Sequence, residues 1–415
     1  MKKLRLKFFN PLYENATYLI FTNVSNLGTG FLFWSICARF YSPISVGLAS
    51  TLISAALLLA NLSTLGFNIA FIRFLPRSRD RKDIVNSCFT SSSLVSLILS
   101  SIFILNLEIL SPKLFFLRET LSFSVIFILL VLAVELSILT DGIFISQRNA
   151  KYVFFRNSFV GIMKIILSVF FIALGGMGIF LSRGLAALII LIPLILFVLP
   201  KKYFKFEPEI QLKSLKPLLL FSLSNYIANI CRISPGLVLP LLITNLKSPE
   251  LTAYFYIPWM VSGLLFMIPL SISSSLLAEG SHEEDLEKKA DESLKFSYLL
   301  LLIIGGFLVI WGGYVLKLFG ESYSLRSLNL LRILAFSSPL FTYNVIYATC
   351  KNVRGEMGKV ISINGITAFG TLGLSLILLK IGLEGIGFAW LLMQTVLAIG
   401  IFFYKRYESL NGYST

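Results

Sequence analysis

One segment carries a guanidinium group inside a run of apolar or small residues, "NYIANICRISPGLVLPLL" at residues 225–242. Arg232 offers forked donors that suit a phosphate, while the amides of Asn225 and Asn229 suit hydroxyl groups. In a helix these three side chains share one face, which extends back to Ser222 and forward to Gly236. Pro235 and Gly236 should weaken the helix just beyond Arg232. The spacing therefore predicts a polar stripe that could bind an anionic ligand rich in hydroxyl groups. The bland alternative is that Arg232 reaches the membrane interface with its long side chain.

Two other groups of polar residues interrupt apolar runs. Asn23 and Asn26 lie in the first such run, at places equivalent to the stripe of Arg232. Glu135 lies in "LLVLAVELSILTDGIF", and its side chain is too short to reach water, so it must be protonated, hydrated or paired. Lys164 falls at a similar depth in the next run. The sequence leaves two interpretations open, a buried Glu135–Lys164 pair and a site coupled to Na+ or H+.

The elements that position these residues are membrane spans. The chain of 415 residues is 56% hydrophobic and only 14% charged, which excludes an ordinary soluble protein. Its hydropathy predicts an all-α polytopic membrane protein, because runs of about 20 apolar residues cross the hydrocarbon core as helices. We predict twelve spans, at 17–37, 45–71, 84–107, 121–145, 157–175, 182–199, 217–245, 251–277, 296–316, 327–349, 360–379 and 384–404.

The distribution of basic residues predicts the topology. With both termini in the cytoplasm, 25 Lys and Arg residues fall on the inside, eight fall on the outside and three lie within spans. This asymmetry follows the positive-inside rule. The net charge of +15 is therefore explained by the orientation of the spans in the cell membrane, and it does not indicate binding to nucleic acid. The four cysteines have no metal-like spacing, and we predict no metal site and no cofactor apart from the coupling ion considered above.

The two halves of the chain resemble each other. Shifted by about 206 residues, "YSPISVGLA" (41–49) meets "KSPELTAYF" (247–255), and "LGGMGIFLS" (174–182) meets "IGLEGIGFA" (381–389). We therefore predict two pseudo-symmetric six-helix lobes around a central cavity, with the substrate path between them. The predicted domains are an N-lobe at 1–199, a cytoplasmic linker at 200–216 and a C-lobe at 217–415.

The segment "ARFYSPISVGLASTLISAALLLANLSTLGFNIAFIRFLP" (38–76) and the turns "GGMGI" (175–179) and "GLEGIG" (382–387) carry a family resemblance. The chain resembles Wzx-type polysaccharide-biosynthesis flippases, whose superfamily also contains multidrug exporters and peptidoglycan-precursor flippases. The resemblance implies alternating access and a polyprenyl- or dolichyl-diphosphate-linked oligosaccharide as the substrate.

On this interpretation Arg232 binds the diphosphate, and Asn23, Asn26, Asn225 and Asn229 bind sugar hydroxyls. Arg39 and Arg332, near the outer ends of spans one and ten, are further candidates. The partners are the lipid-linked oligosaccharide and membrane lipids, and we expect a monomer that is not an enzyme.

Two alternatives from other classes stay open. The first is a cation-coupled multidrug exporter of the same superfamily, although such proteins tend to carry acids in the cavity where this sequence has Arg232. The second is a membrane-embedded glycan-processing enzyme. It is disfavoured because the longest outside loop, at 107–119, has no cluster of acidic, His or metal-binding residues.

Overall fold

The protein is described by a computed structural model covering residues 11–202, 207–280 and 286–410. Within these ranges the secondary structure is entirely helical. Among the described residues, eleven helices have the length and hydropathy to cross a membrane, so the chain is a multi-pass membrane protein. The contacts divide the chain into two units, which are described separately below. Unit 1 contains the described residues up to Tyr226 together with Thr244–Glu250, and unit 2 contains Ile227–Ile243 and the described residues from Leu251 onward.

Unit 1 is built from seven of the longer helices in the described ranges and from parts of an eighth. The helices are α1 (Pro11–Phe40), α2 (Pro43–Ser63), α3 (Phe67–Phe74), α4 (Arg81–Leu105), α5 (Leu121–Ser146), α6 (Ala150–Phe170), α7 (Gly175–Pro193) and α8 (Leu212–Leu246). Short helical turns connect α4 to α5, and α7 runs on through a π-helical segment at Leu194–Val198 to Leu199–Lys202. A buried apolar cluster that includes Phe71, Phe89, Leu139 and Leu218 joins α3, α4, α5 and the start of α8.

The predicted first span lies within α1, which is 30 residues or about 45 Å long. This helix is not among the eleven apolar candidates. Polar side chains such as Asn23, Asn26 and Thr29 lower its hydropathy over the length that would cross the membrane.

The predicted second span, 45–71, is not one helix. The chain leaves α2 at Ser63 and enters α3 at Phe67, with Leu65 and Gly66 in the left-handed backbone region at φ values of 51° and 76°. Gly66 is suited to this conformation because it has no Cβ atom. The break exposes the last carbonyl groups of α2, which need hydrogen-bond donors from elsewhere.

Unit 2 combines the middle of α8 with five long helices. These are α9 (Pro249–Gly280), α10 (Leu286–Lys317), α11 (Glu321–Val353), α12 (Met357–Leu378) and α13 (Leu383–Leu410). Its core includes a cluster of rings around Trp390, which contacts Trp259, Phe266 and Phe341. We expected Pro235 and Gly236 to weaken α8, but the helix continues through both residues.

The Gly-rich turns that suggested an internal repeat have the same local geometry in each unit. A 3-10 turn precedes Gly175 in unit 1 and Gly382 in unit 2, and both glycines have positive φ values. Three residues further on, a Cβ atom at Gly178 would lie 2.1 Å from the Phe171 carbonyl oxygen, and one at Gly385 would lie 1.9 Å from that of Leu378. Glycine is therefore required for the same close approach in both turns.

Candidate functional site

Arg232 and Asn229 meet on α8 within unit 2. One terminal nitrogen of the Arg232 guanidinium donates to Asn229 Oδ1 at 2.6 Å, and the Arg232 side chain is exposed. Packing within unit 2 positions this part of α8, because Asn364 on α12 donates to the Ala228 carbonyl at 3.0 Å. The remaining guanidinium N–H groups have no protein acceptor among the described residues. The arrangement can therefore present several cationic donors to an anion.

The other members of the stripe differ in their surroundings. The Asn225 side chain is half-buried and makes no hydrogen bond to any described residue. Ser222 is fully buried and donates to the Leu65 carbonyl at 3.2 Å, so this residue packs within unit 1, to which both belong. The structure thus places Asn225, Asn229 and Arg232 at accessible or partly accessible positions and gives Ser222 a structural contact.

The two predicted amides on α1 are exposed. Asn23 and Asn26 make no hydrogen bonds within the part of the chain that the structure describes. Their neighbour Ser25 is bonded to Ser158 on α6 at 2.8 Å, which holds this part of α1 within unit 1. An exposed amide in a membrane helix is costly unless it meets water or a polar ligand. The amides are consistent with hydroxyl binding, which stays a prediction.

Two further arginines predicted as binding residues lie near helix ends or against the backbone. Arg39 is exposed in the last turn of α1. The Nε–H group of Arg332 on α11 donates to the Val309 carbonyl of α10 at 3.1 Å, and the side chain is half-buried. Part of the Arg332 guanidinium is thus already used in packing α10 against α11.

The structure does not contain the Glu135–Lys164 ion pair that was one of our two interpretations. Both residues are described and buried, but Glu135 contacts Ser92 on α4, whereas the Lys164 ammonium lies over the ring of Phe33 on α1, 5.3 Å from its centroid. The two side chains leave α5 and α6 in different directions. This leaves Glu135 buried without a cationic partner among the described residues.

A comparison with known families decides the assignment of the chain. The sequence profile of the family described as "Polysaccharide biosynthesis protein" matches residues 12–276, which is well over half of the chain. The chain belongs to this family. A search among curated protein sequences finds no match.

Solved structures show the same fold for this polysaccharide biosynthesis family member. A structure titled "Lipid II flippase MurJ, inward closed conformation" matches with a TM-score of 0.75 and 13% identity, over 94% of this chain and 87% of that one. An inward-facing multidrug resistance MATE family transporter of the MOP superfamily matches with a TM-score of 0.65 and 16% identity, over 95% and 96% of the two chains. A MATE structure in complex with MaL6 matches with a TM-score of 0.66 and 17% identity over the whole of both chains. The chain therefore has the fold of these MurJ and MATE structures.

Two polar features of the family member were not identified from its sequence. Arg183 is one of the eight basic residues predicted to lie on the outside, but α7 begins at Gly175 and so carries Arg183 about 12 Å inside the helix. There it lines a small cavity with Val134, Phe180 and other apolar side chains. Arg156, one of the 25 basic residues predicted to lie on the inside, is buried on α6 and pairs with Asp141 on α5 at 2.6 Å. Hydropathy alone could not place Arg183, because the turn before α7 is also apolar, and it could not distinguish Arg156 and Asp141 from the polar turn at 147–149 that lies between them.

Proposed function

We propose that this protein is a flippase that moves a polyprenyl- or dolichyl-diphosphate-linked oligosaccharide from the cytoplasmic to the outer leaflet of the cell membrane by alternating access. Both termini lie in the cytoplasm, and the product serves the assembly of surface polysaccharide or glycoprotein. The single observation that carries the proposal is the exposed Arg232–Asn229 pair in a membrane-spanning helix of a polysaccharide biosynthesis family member. The working unit is a monomer.

The chemistry of the exposed residues supports this substrate class. A diphosphate is recognised best by planar, cationic donors, and Arg232 retains such donors beside Asn229. Sugar hydroxyls both donate and accept, and the exposed amides of Asn23 and Asn26 can do the same. Asn225 adds a half-buried amide one turn from Asn229. Arg39 and Arg332 are secondary candidates on this account, with Arg332 limited by its bond to the backbone.

The second candidate function is cation-coupled export of drugs or metabolites. The fold shared with MATE structures favours it. The exposed residues argue against it, because a cationic drug would require an accessible acid. The candidate binding residues, which are Asn23, Asn26 and the stripe of Arg232, contain no acidic side chain, and Glu135 is fully buried. Transport rather than catalysis is proposed in either case.

The proposal is tested by transport in reconstituted vesicles. Polyprenyl-diphosphate-linked oligosaccharide with a labelled sugar would be placed in one leaflet, and its appearance in the other would be followed with an impermeant lectin. Arg232→Gln should abolish most of this transport, because the amide lacks the charge and the forked donors. Arg79→Gln is the matched control, since Arg79 is exposed and lies outside the spans.

The proposal would be supported if the wild type and Arg79→Gln transport the glycolipid and Arg232→Gln does not. Two outcomes would refute it: wild-type vesicles that leave the glycolipid in its original leaflet while exporting ethidium, or equal glycolipid transport by the wild type and Arg232→Gln.

A further inference from the structure

The break after α2 leaves carbonyl groups that are satisfied by side-chain hydroxyls from other helices of unit 1. Tyr226 Oη donates to the Leu62 carbonyl at 2.7 Å, and Ser222 Oγ donates to the Leu65 carbonyl at 3.2 Å, both from α8. Between them, Ser92 Oγ of α4 lies 2.8 Å from the Ser63 carbonyl. The carboxyl-terminal end of a helix interrupted within the membrane is a common place for cation binding in transporters.

The Ser63 carbonyl depends on Ser92 for its hydrogen bond. The amide that would ordinarily reach it, that of Phe67, donates instead to the Thr64 carbonyl at 2.9 Å. No other donor to the Ser63 carbonyl occurs among the described residues. A buried carbonyl without a donor is costly, so the single hydroxyl hydrogen of Ser92 is required there.

Ser92 Oγ also contacts Glu135 Oε1. A hydroxyl group has one hydrogen to donate and lone pairs with which to accept. Since Ser92 gives its hydrogen to Ser63, its contact with Glu135 is a hydrogen bond only when the carboxyl group supplies the proton. The geometry of the three oxygen-bearing groups therefore requires a neutral Glu135.

The surroundings of Glu135 agree with a neutral carboxyl group. Glu135 is fully buried, about 21 Å along α5 from Leu121, and its Oε2 atom has no hydrogen-bond partner among the described residues. A carboxylate in this position would lack both a cation and the hydrogen bonds that repay its desolvation. The negative end of the α2 dipole, which ends at Ser63, also disfavours an anion nearby.

None of the charged or titratable groups on the elements packed against α5 pairs with Glu135 in the described structure. Helix α2 carries no charged residue. Arg73 of α3 lies over Phe221, Lys82 of α4 pairs with Glu207, and Arg118, before α5, pairs with Glu108. Lys164 of α6 lies over Phe33 and Arg156 of α6 pairs with Asp141, while Arg183 of α7 lines the cavity beside Val134. The remaining groups lie in the first turns of α4 and α6, in the turn before α5, or in the apolar core: Arg81, Asp83, Cys88, Glu119, Lys151 and Tyr152.

We propose that Glu135 is a proton-binding site, and that loss of its proton releases the end of α2 on which α8 is docked. When the proton leaves to water, Glu135 becomes a carboxylate, and the Ser92 hydroxyl turns its hydrogen from the Ser63 carbonyl to Glu135 Oε1. The Ser63 carbonyl then has no donor, which weakens the helix end that also binds Tyr226 and Ser222 of α8. The proton site is thereby linked to the helix that carries Asn229 and Arg232, whatever the transported substrate is.

Infrared spectroscopy of the purified protein in lipid tests the site without a substrate. At neutral pH the wild type should show the C=O stretch of one protonated, buried carboxyl group, and Glu135→Gln should lose it. Glu119→Gln, at an exposed position before α5, is the matched control and should keep it. Ser92→Ala should shift the frequency of this band because the carboxyl group loses its acceptor, which also tests the site if Glu135→Gln fails to fold.

The helix end is followed by hydrogen exchange of residues 62–67 as the pH is raised. Gln at position 135 can donate to Ser92 permanently, so exchange at high pH should be roughly tenfold slower in Glu135→Gln than in the wild type, the effect of about one hydrogen bond. Identical infrared spectra for the wild type and Glu135→Gln would overturn the proposal. The proposal would also be overturned if NaCl removed the carboxyl band and choline chloride did not, because the site would then bind Na+ in place of a proton. Equal exchange at high pH would overturn the link to α2.

Discussion

Replacing Gly66 with Ala should destabilise the protein by about 2–5 kcal/mol. Gly66 has φ 76°, a conformation that costs an L-residue about 1–2 kcal/mol. The added Cβ atom would also lie 2.9 Å from Cβ of Tyr226 and 3.0 Å from Cβ of Ser222. Overpacking of this kind costs about 1–3 kcal/mol, because neither contact is with the far end of a flexible side chain. The substitution thus tests whether α8 is docked on the break between α2 and α3.

Gly355→Ala separates the two contributions. Gly355 has φ 78°, almost the same as Gly66, but a Cβ atom there would meet nothing within 4 Å. The two variants share the backbone cost and the change in the entropy of the unfolded chain. Their difference in the free energy of unfolding, measured in detergent by thermal denaturation and by urea, should be about 1–3 kcal/mol, the cost of the clash alone. Equal stability of the two variants would refute the docking of α8 against Gly66.

Three further substitutions test the polar contacts of the two units by the same stability measurements. Tyr226→Phe should cost about 1–3 kcal/mol by leaving the partly buried Leu62 carbonyl without a donor, whereas Tyr314→Phe at an exposed position should cost nothing measurable. Arg156→Gln should cost about 3–5 kcal/mol because Asp141 loses its cation. Adding Asp141→Asn to this variant should recover part of the lost stability. Equal stability of Arg156→Gln and the wild type would contradict the pairing. The hydrogen bond from Lys359 holds the pKa of Glu356 below its ordinary value of 4.5. This contact therefore contributes its full stability above pH 4.5, and that contribution is lost as the pH falls through the lower pKa of Glu356 in the folded protein. The free energy of unfolding of Glu356→Gln should consequently fall less steeply with acid than that of the wild type.

Hydropathy and charge predicted the helical membrane fold, because a membrane span must be apolar and internally hydrogen-bonded along its whole length. The same reasoning could not find the break at Gly66, since a single glycine inside the apolar run 45–71 does not change its hydropathy. The same reasoning predicted that Pro235 would weaken α8, but the helix continues unbroken through this residue. The Gly-rich turns at Gly175 and Gly382 were visible because each needs a glycine at two fixed positions.

The candidate site was predictable only as far as depth and helical periodicity allow. The spacing of Asn229 and Arg232 put both on one face of α8, and the structure brings them into contact. The similar predicted depth of Glu135 and Lys164 suggested an ion pair, but depth does not give the direction in which a side chain leaves its helix. The contact of Glu135 with Ser92 joins residues 43 positions apart on different helices, and a single sequence carries no signal for that pairing.

Binding to the purified protein tests the central claim most directly. The affinities of a polyprenyl-diphosphate-linked oligosaccharide and of ethidium would be measured for the wild type and for Arg232→Gln. We predict that the glycolipid binds the wild type and that Arg232→Gln weakens this binding about 10- to 100-fold, as expected for charge-assisted hydrogen bonds of about 1.5–3 kcal/mol. Ethidium binding that is unchanged by Arg232→Gln, together with no measurable binding of the glycolipid, would contradict the flippase and favour the drug exporter.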